Sequence, residues 1–542
     1  MSKITNYLNE HLAGDVVADD NTRRQFSTDG SMLSLHPGII VHPRVTDDVR
    51  KIARFTWRLA ERGQVLPLTA RGNGTDPTGA AIGRGTILSF PAHMAQIMEF
   101  DLKYRMVRVQ PGIDLEALGQ AVATQGLRLP VDGGSSRVMT VGGALAVNLP
   151  GRQFAKYGCI RDWVDKLEVV LANGEIIQTG RLSRRELSEK KGLQTLEGEI
   201  YRSIDSLIED NQDIINALAD SPSLDASCYG LELVRGENGS FDLTPLLLGS
   251  QGTLGIITQV ILKLIDLPSE DVMMVAALSG EENLSDLTNR LLDLEPTALE
   301  FIDEGTLSLV REITGYEPWG EVTKGLPYVL LFIEFDGKHA NRQLRKAAKV
   351  MESAGIVDAK VAVDPGDVES VMTIYDSVAC VTNNNDNGAA AVPLVTDLAV
   401  PPESVFDAVD KIRAVLKRNH VLAGVWGNLG SGLISVRPIV NLANLGQRQV
   451  VFRLLDSLGE IVSEFEGSLT GCGGSGRLLT PWTRAAHDKE TAELMAAVKK
   501  VFDPYGVLNT GVGDDSLTRN DVLAMLRQDY RQDRYPQYNL RG

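Results

Sequence analysis

Cysteine is scarce in this chain, and the few present are not placed for cross-linking. The 542 residues hold only Cys159, Cys228, Cys380 and Cys472, far apart and without C-x-x-C spacing, which excludes a disulfide-rich scaffold and fits a reducing compartment. A cytoplasmic location is the expectation. Net positive charge is also lacking: the formal charge is -17, so nucleic acid and an anionic membrane surface are excluded as main partners. No uncharged apolar run reaches membrane-spanning length, and the first eleven residues, Met1 to His11, hold no apolar leader core. The best apolar stretch, Leu246 to Leu267, is interrupted by Gln251, Gln259, Lys263 and Asp266 and reads as strand and loop. Two nucleotide motifs are missing as well. The third glycine position of a Rossmann Gly-x-Gly-x-x-Gly turn is occupied by Pro77, and the Gly337-Lys338 pair is followed by His339 rather than Ser or Thr, so neither a nicotinamide turn nor a triphosphate loop is present.

What the chain does have is glycine in clusters. Leu66 to Gly79 reads LPLTARGNGTDPTG, in which Gly72, Gly74 and Gly79 permit close backbone approach while Arg71 and Thr75 can add polar contacts to an anion. Three more segments follow in order. The first runs Val109-Gln110-Pro111-Gly112, then Pro130 to Ser136, then Thr140-Val141-Gly142-Gly143 to Asn148. The second is Leu248 to Thr258, LGSQGTLGIIT, and the third Phe502 to Asn509, FDPYGVLN. Between them, apolar spacing predicts helices from Asp47 to Phe55 and Asp114 to Gln125, a strand at Leu167 to Leu171 closing in an Asn173-Gly174 hairpin turn, a surface linker over Arg181 to Gly192, and a helix from Ile200 to Ala219. Strands at Val272 to Leu278, Ala298 to Asp303 and Tyr328 to Phe335 alternate with helices. At this length the chain has room for several cores, and the pattern is α+β throughout.

Together the four glycine segments resemble the FAD-binding module of the vanillyl-alcohol oxidase and p-cresol methylhydroxylase (PCMH-type) superfamily, most of all its D-lactate, glycolate and D-2-hydroxyglutarate dehydrogenase branch, from about Phe26 to Gly511. The resemblance implies an α+β fold: a two-subdomain FAD-binding module over 35–268 and an α+β cap domain with an antiparallel sheet over 269–480. A segment at 481–513 returns to the flavin site, with an N-terminal segment (1–34) and a helical, charged tail (514–542) outside. It implies FAD as cofactor. Arg71, Gly72, Asn73, Gly74, Thr75, Gly142 and Gly143 would lie at the pyrophosphate, supported by Pro111, Gly112, Ser135, Thr140, Asn148 and Gly252. Ile256 and Ile257 would lie near the adenosine or ring edge, and Asn509 near the isoalloxazine. Where some relatives carry a flavin-linked histidine this chain has Thr75, so FAD is expected to be non-covalent, with Cys159 the nearest thiol to check.

The departures from the family pattern are as informative. The resemblance implies Gly-His-x-Gly-Asp-Gly-Asn-x-His followed by Gly-Glu-His-Gly, whose two histidines and glutamate hold a divalent metal beside a histidine base. Here those positions fall on Asn428, Ser435, Cys472 and Gly473, so no metal is expected there. The arginine of the carboxylate clamp falls near Tyr375, and a lysine two residues before Asp397 is Val395. Remaining candidates for chemistry are Tyr375 or Asp376 as base, Cys472 as a thiolate facing the flavin, and His487 if its helix turns inward; the plainer readings, which are favoured, are a core Tyr375, a small buried filler at Cys472 and a solvated helix face at His487. The iron–sulfur module of longer relatives finds no cysteine cluster in 514–542, so electrons would pass to oxygen, a quinone or a separate protein, with the tail a docking segment. The leading expectation is an FAD-dependent oxidoreductase acting on an alcohol-type small-molecule substrate other than a small 2-hydroxy acid. The rival is a catalytically degenerate flavoprotein that acts through binding or regulation.

Overall fold

The computed structural model describes residues 2–131, 138–236, 238–383, 385–386 and 388–530. The chain first builds a small sheet in the order Asp15–Val17, Ile39–His42, Thr86–Ser89, Leu68–Arg71, whose last three strands run parallel. The helix Thr46–Ala60 crosses between two of them because Val49, Ile52, Ala53 and Ala60 fall on one stripe, and that stripe is buried against Ile39, Val41, Leu68 and Leu88. Leu68–Arg71 then opens directly into the glycine loop, at the carboxyl end of the parallel strands where α/β folds place ligands.

A second sheet is antiparallel, in the order Ile97–Asp101, Met106–Val109, Ile256–Lys263, Val164–Val170, Ile176–Gln178. Its last hairpin turns at Asn173-Gly174, with Gly174 at φ 84°, the left-handed conformation that an Asn-Gly turn supplies. The short strand Ile265–Asp266 pairs with Leu127–Arg128 just before the chain leaves for the cap. There, Asp271–Leu278, Val329–Asp336, Ala298–Asp303, Ala423–Asn428 and Leu433–Val440 form the middle of a nine-stranded sheet. Every residue of Val329–Asp336 is buried. Leu331, Ile333 and Phe335 face one core and Leu330 and Phe332 the other, so a strand covered on both faces shows a continuous apolar run rather than alternation.

The structure corrects several local expectations. The expected linker over 181–192 contains a helix, Arg184–Lys191, with no buried residue. Reciprocal Ser183 and Glu186 capping and an Arg185–Glu189 pair stabilise it instead of an apolar face. The helix expected from 200 to 219 is two, Leu196–Asp210 and Gln212–Ala219, broken at Asn211. The tail helix is shorter than expected, Arg519–Met525, and buries Val522 and Met525 in the cap core. Leu526 then bridges Leu33, and the Arg527 amide donates to Met32 O at 2.9 Å, so this stretch clamps the N-terminal segment; residues 531–542 lie outside the described residues. Among the described residues no helix is long and apolar enough to cross a membrane.

Candidate active site

The glycine loop is shaped by close approaches. A Cβ on Gly72 would lie 2.1 Å from Thr140 Oγ1, and one on Gly74, which sits at φ 72°, would lie 2.2 Å from the Arg71 guanidinium. Asn73 is held from the side: its Nδ2 donates to Asp114 Oδ1 and to Val138 O, both at 2.7 Å. Arg71 is buried, donates to Thr28 O at 2.9 Å and Ala81 O at 3.1 Å, and stacks over the Phe26 ring. Its charge stands beside the loop while its donors tie it to the N-terminal segment at Thr28 and to Ala81 just past the loop. Among the described residues the backbone amides of Gly72, Asn73, Gly74, Thr75 and Asp76 have no acceptor. Arg71, Gly72 and Asn73 line a cavity of about 1000 Å³, at the upper end of the volumes cofactor sites occupy.

Sequence reasoning missed the buried charges behind this loop. Asp76 accepts from the amides of Thr78 (3.0 Å) and Ala80 (2.7 Å), and Asp29 from the Ser31 hydroxyl and the Ala81 amide. Burial, with Asp29 close by, pushes the Asp76 carboxyl up to about 7, and burial raises Asp29 as well. Arg477, fully buried, donates to Gly79 O at 2.7 Å, Asn509 Oδ1 at 2.9 Å and Thr510 O at 2.7 Å, and burial lowers its pKa to about 10. The available signal was its place directly after Gly476.

Several expected cofactor contacts turn out to be braces. The Gly142 amide donates to Pro111 O at 2.8 Å and the Gly143 amide to Thr140 Oγ1 at 3.1 Å, so both already have acceptors within the chain. Gly112 is required because a Cβ would meet Phe90 O at 2.6 Å. Asn509 is spent on both ends of its amide, accepting from Thr69 and Arg477 and donating to Ala80 O and Gln251 O; it joins the glycine loop to the Leu248–Thr258 segment. Asn148, at φ 45°, accepts from the Arg161 amide. Ile256 is buried among Leu68, Leu88 and Val170, whereas Ile257 is only partly buried on the other face. Gly252 adopts φ 73° with Ala70 Cβ at 3.8 Å. Ser135 lies outside the described residues. Thr75 shares the open-amide stretch.

At the emptied family motif the substitutes have local duties. Asn428 Nδ2 donates to Arg152 O at 2.8 Å, Ser435 Oγ donates to Thr396 O at 2.6 Å, and the amides of Cys472 and Gly473 donate to the buried Asp397. Cys472 is the buried filler rather than a thiolate: its side chain is buried with Ala399 and Leu433, and burial drives the thiol well above its ordinary pKa. Tyr375 is half-buried against Phe332, and its hydroxyl donates to Glu300 Oε1 at 2.9 Å. Glu300 faces Arg152 at 3.8 Å, and Arg152 also pairs with Glu334. Asp376 lies one residue beyond, at the end of the same helix. The solvated-face reading of His487 is corrected: it turns inward, its Nε2 2.5 Å from Ser227 Oγ.

Comparison with known proteins agrees with this architecture. Residues 37–180 match the FAD binding domain family and residues 267–512 the C-terminal domain of FAD linked oxidases. The chain is 28% identical over 531 residues to D-2-hydroxyglutarate dehydrogenase of Escherichia coli, covering 94% of this chain and 51% of that protein. It is 26% identical to the glycolate oxidase subunit GlcD of Bacillus subtilis (90% and 91% covered) and 25% identical to D-lactate dehydrogenase of Anaerostipes hadrus (92% and 94%). The chain spans about half the length of the D-2-hydroxyglutarate dehydrogenases it matches. The fold is shared with p-cresol methylhydroxylase (TM-score 0.68, 12% identity, 96% and 97% covered) and with 4-ethylphenol oxidase from Gulosibacter chungangensis (TM-score 0.67, 16% identity, 94% and 96%).

Proposed function

We propose that the chain, whose residues 37–180 and 267–512 match the FAD binding domain and the C-terminal domain of FAD linked oxidases, is an FAD-dependent oxidoreductase that takes a hydride from a CH–OH donor onto non-covalently held FAD, with no divalent metal among Asn428, Ser435 and Cys472. The observation that carries this reading is the run of open amides from Gly72 to Asp76 beside the cavity lined by Arg71. Such a nest is an anion receptor, and the nearby guanidinium adds positive charge for a diphosphate. Bound FAD supplies the hydride acceptor. The chain supplies position: the amides would hold the diphosphate, with Gly72 letting the loop approach Thr140 and Gly74 letting it approach Arg71. Tyr375, with Glu300 accepting from its hydroxyl, offers a route for the substrate proton that a metal-bound site would otherwise handle.

The named relatives point to hydroxy-acid donors, and two positions argue for a different member of the alcohol class. A carboxylate is best gripped by a bidentate arginine, whereas Tyr375 and Val395 stand where the resemblance calls for arginine and lysine. The electron acceptor is a separate protein, a quinone or oxygen, and the location cytoplasmic, in keeping with the scattered cysteines. The test is the visible spectrum of the purified protein before and after acid precipitation, followed by anaerobic mixing with a panel of alcohols and hydroxy acids. Yellow colour that moves to the supernatant, and bleaching by a donor in the presence of chelator, support the proposal. A protein that neither carries nor takes up FAD overturns it; a flavin that no donor bleaches moves the reading to the binding or regulatory flavoprotein.

A further inference from the structure

The segment inserted between the strands Ile176–Gln178 and Ile256–Lys263 of the second sheet meets the helix Gly476–Ala486, and three different metal-ligating side chains converge there. Asp225 and Cys228 flank the single 3-10 turn Ala226–Cys228, and His487 ends the helix. His487 Nε2 is 3.7 Å from Cys228 Sγ and 3.7 Å from Asp225 Oδ2, and Sγ and Oδ2 are 4.0 Å apart. A point equidistant from all three lies about 2.2 Å from each, within the roughly 2.0–2.3 Å of zinc bonds to nitrogen, oxygen and sulfur.

A cysteine–histidine–aspartate proton relay would use the two imidazole nitrogens separately, one for the carboxylate and one for the thiol. Here both partners face the same Nε2, which is the geometry of ligands around a common centre; Nε2 also lies 2.5 Å from Ser227 Oγ, a contact that a metal at that centre would replace. The carboxylate is already oriented for that role: Asp225 Oδ1 accepts from the Ser227 amide (2.9 Å), the Ser227 hydroxyl (2.6 Å) and the Ser468 hydroxyl (3.0 Å), leaving Oδ2 turned toward Cys228 and His487. Beside the cluster a small cavity of about 30 Å³, lined by Ser227, Tyr229 and Arg484 among others, reaches the His487 imidazole.

We propose that Asp225, Cys228 and His487 form a three-ligand site for a Zn²⁺-class divalent cation. The site is distinct from the emptied family motif and independent of the flavin chemistry. It joins the inserted segment to the helix whose Arg477 grips Gly79, Asn509 and Thr510, so the metal stabilises the underside of the glycine loop. The test uses the full chain, stripped with chelator and titrated with Co²⁺, read as difference spectra against the metal-free protein. The expected result is a thiolate-to-cobalt charge-transfer band at one equivalent that disappears in Cys228→Ser and persists in Cys472→Ser. His487→Gln, which alters a partly exposed side chain, weakens cobalt binding by at least about 10-fold to 100-fold and removes the zinc-dependent rise in Tm seen for the wild-type chain; this arm decides the matter if Cys228→Ser does not fold. A folded wild-type protein that shows neither the band nor a zinc-dependent Tm overturns the proposal, as does a band that survives Cys228→Ser.

Discussion

Replacing Gly72 with alanine tests how the cofactor loop is held. The added Cβ would sit 2.1 Å from Thr140 Oγ1 and 3.2 Å from its Cβ, against an ordinary contact of about 3.5–4.0 Å. Thr140 is buried and cannot swing away at no cost, because the same hydroxyl caps the following helix by accepting from the Gly143 amide. Either the hydroxyl gives up the cap, at about 1 kcal/mol, or the loop retreats and strains the packing, at about 1–3 kcal/mol. Gly72→Ala is therefore expected to lose about 2 kcal/mol in urea unfolding of the apoprotein. If the retreat carries the open amides with it, FAD affinity falls roughly 30-fold, at 1.4 kcal/mol per factor of ten. Thr140→Ala alone loses about 1 kcal/mol as a missing cap. In the double variant the clash is largely gone, so its loss should match that of Thr140→Ala and the pair should couple by about 1–2 kcal/mol. Strict additivity of the two substitutions, or a Gly72→Ala protein with wild-type stability and FAD affinity, would refute the close-approach argument.

Asp76 gives a pH prediction with a definite sign. Its folded pKa is raised to about 7 from an ordinary value near 4, so the native state keeps a proton that the unfolded chain has released. The stability this contributes is complete below about pH 4 and is lost as pH rises through about 7; Asp76→Asn should flatten that slope in chemical denaturation, and an unchanged slope assigns it to other groups. Asn509→Ala removes the acceptor of the buried Arg477 and Thr69 and the donor to Ala80 O and Gln251 O. A loss of about 3 kcal/mol or more in urea unfolding is expected, and one below about 1 kcal/mol would show that water replaces the side chain there. Cys472→Ala, in a small apolar pocket, should keep turnover with the best donor found and cost no more than about 2 kcal/mol; abolished turnover with FAD still bound would restore the thiol to the chemistry. Tyr375→Phe should lower kcat with little change in KM and shift the pH profile of the reaction, and an unaltered profile removes the Tyr375–Glu300 pair from the proton path.

Much of the scaffold was legible because local rules specified it: the Asn173-Gly174 turn, the helix stripe in Thr46–Ala60 and the strand at Ala298–Asp303 lie where spacing alone put them. The helix Arg184–Lys191 escaped because it has no apolar stripe and depends on caps and ion pairs. Within the site, sequence identified the glycines but not their division of labour. Gly142 and Gly143 resemble a phosphate cradle on paper, and only the third dimension shows Pro111 O and Thr140 Oγ1 already occupying their amides. The carboxylates behind the loop and the cluster around His487 were illegible for a simpler reason: Ser227 and His487 are 260 residues apart, and no periodicity connects them.

The junction of flavin module and cap has a consequence of its own. The cap strands present Glu300, Glu334 and Asp336, and the flavin module meets them with Arg152, Gln153, Lys156, Tyr157 and Arg128. Apolar surfaces can slide by a residue and still stick, but these carboxylates cannot: a slip of one strand position would leave a buried charge facing hydrocarbon, at a cost of several kcal/mol per ion. The row therefore acts as a key whose teeth admit a single seating of the cap on the flavin module.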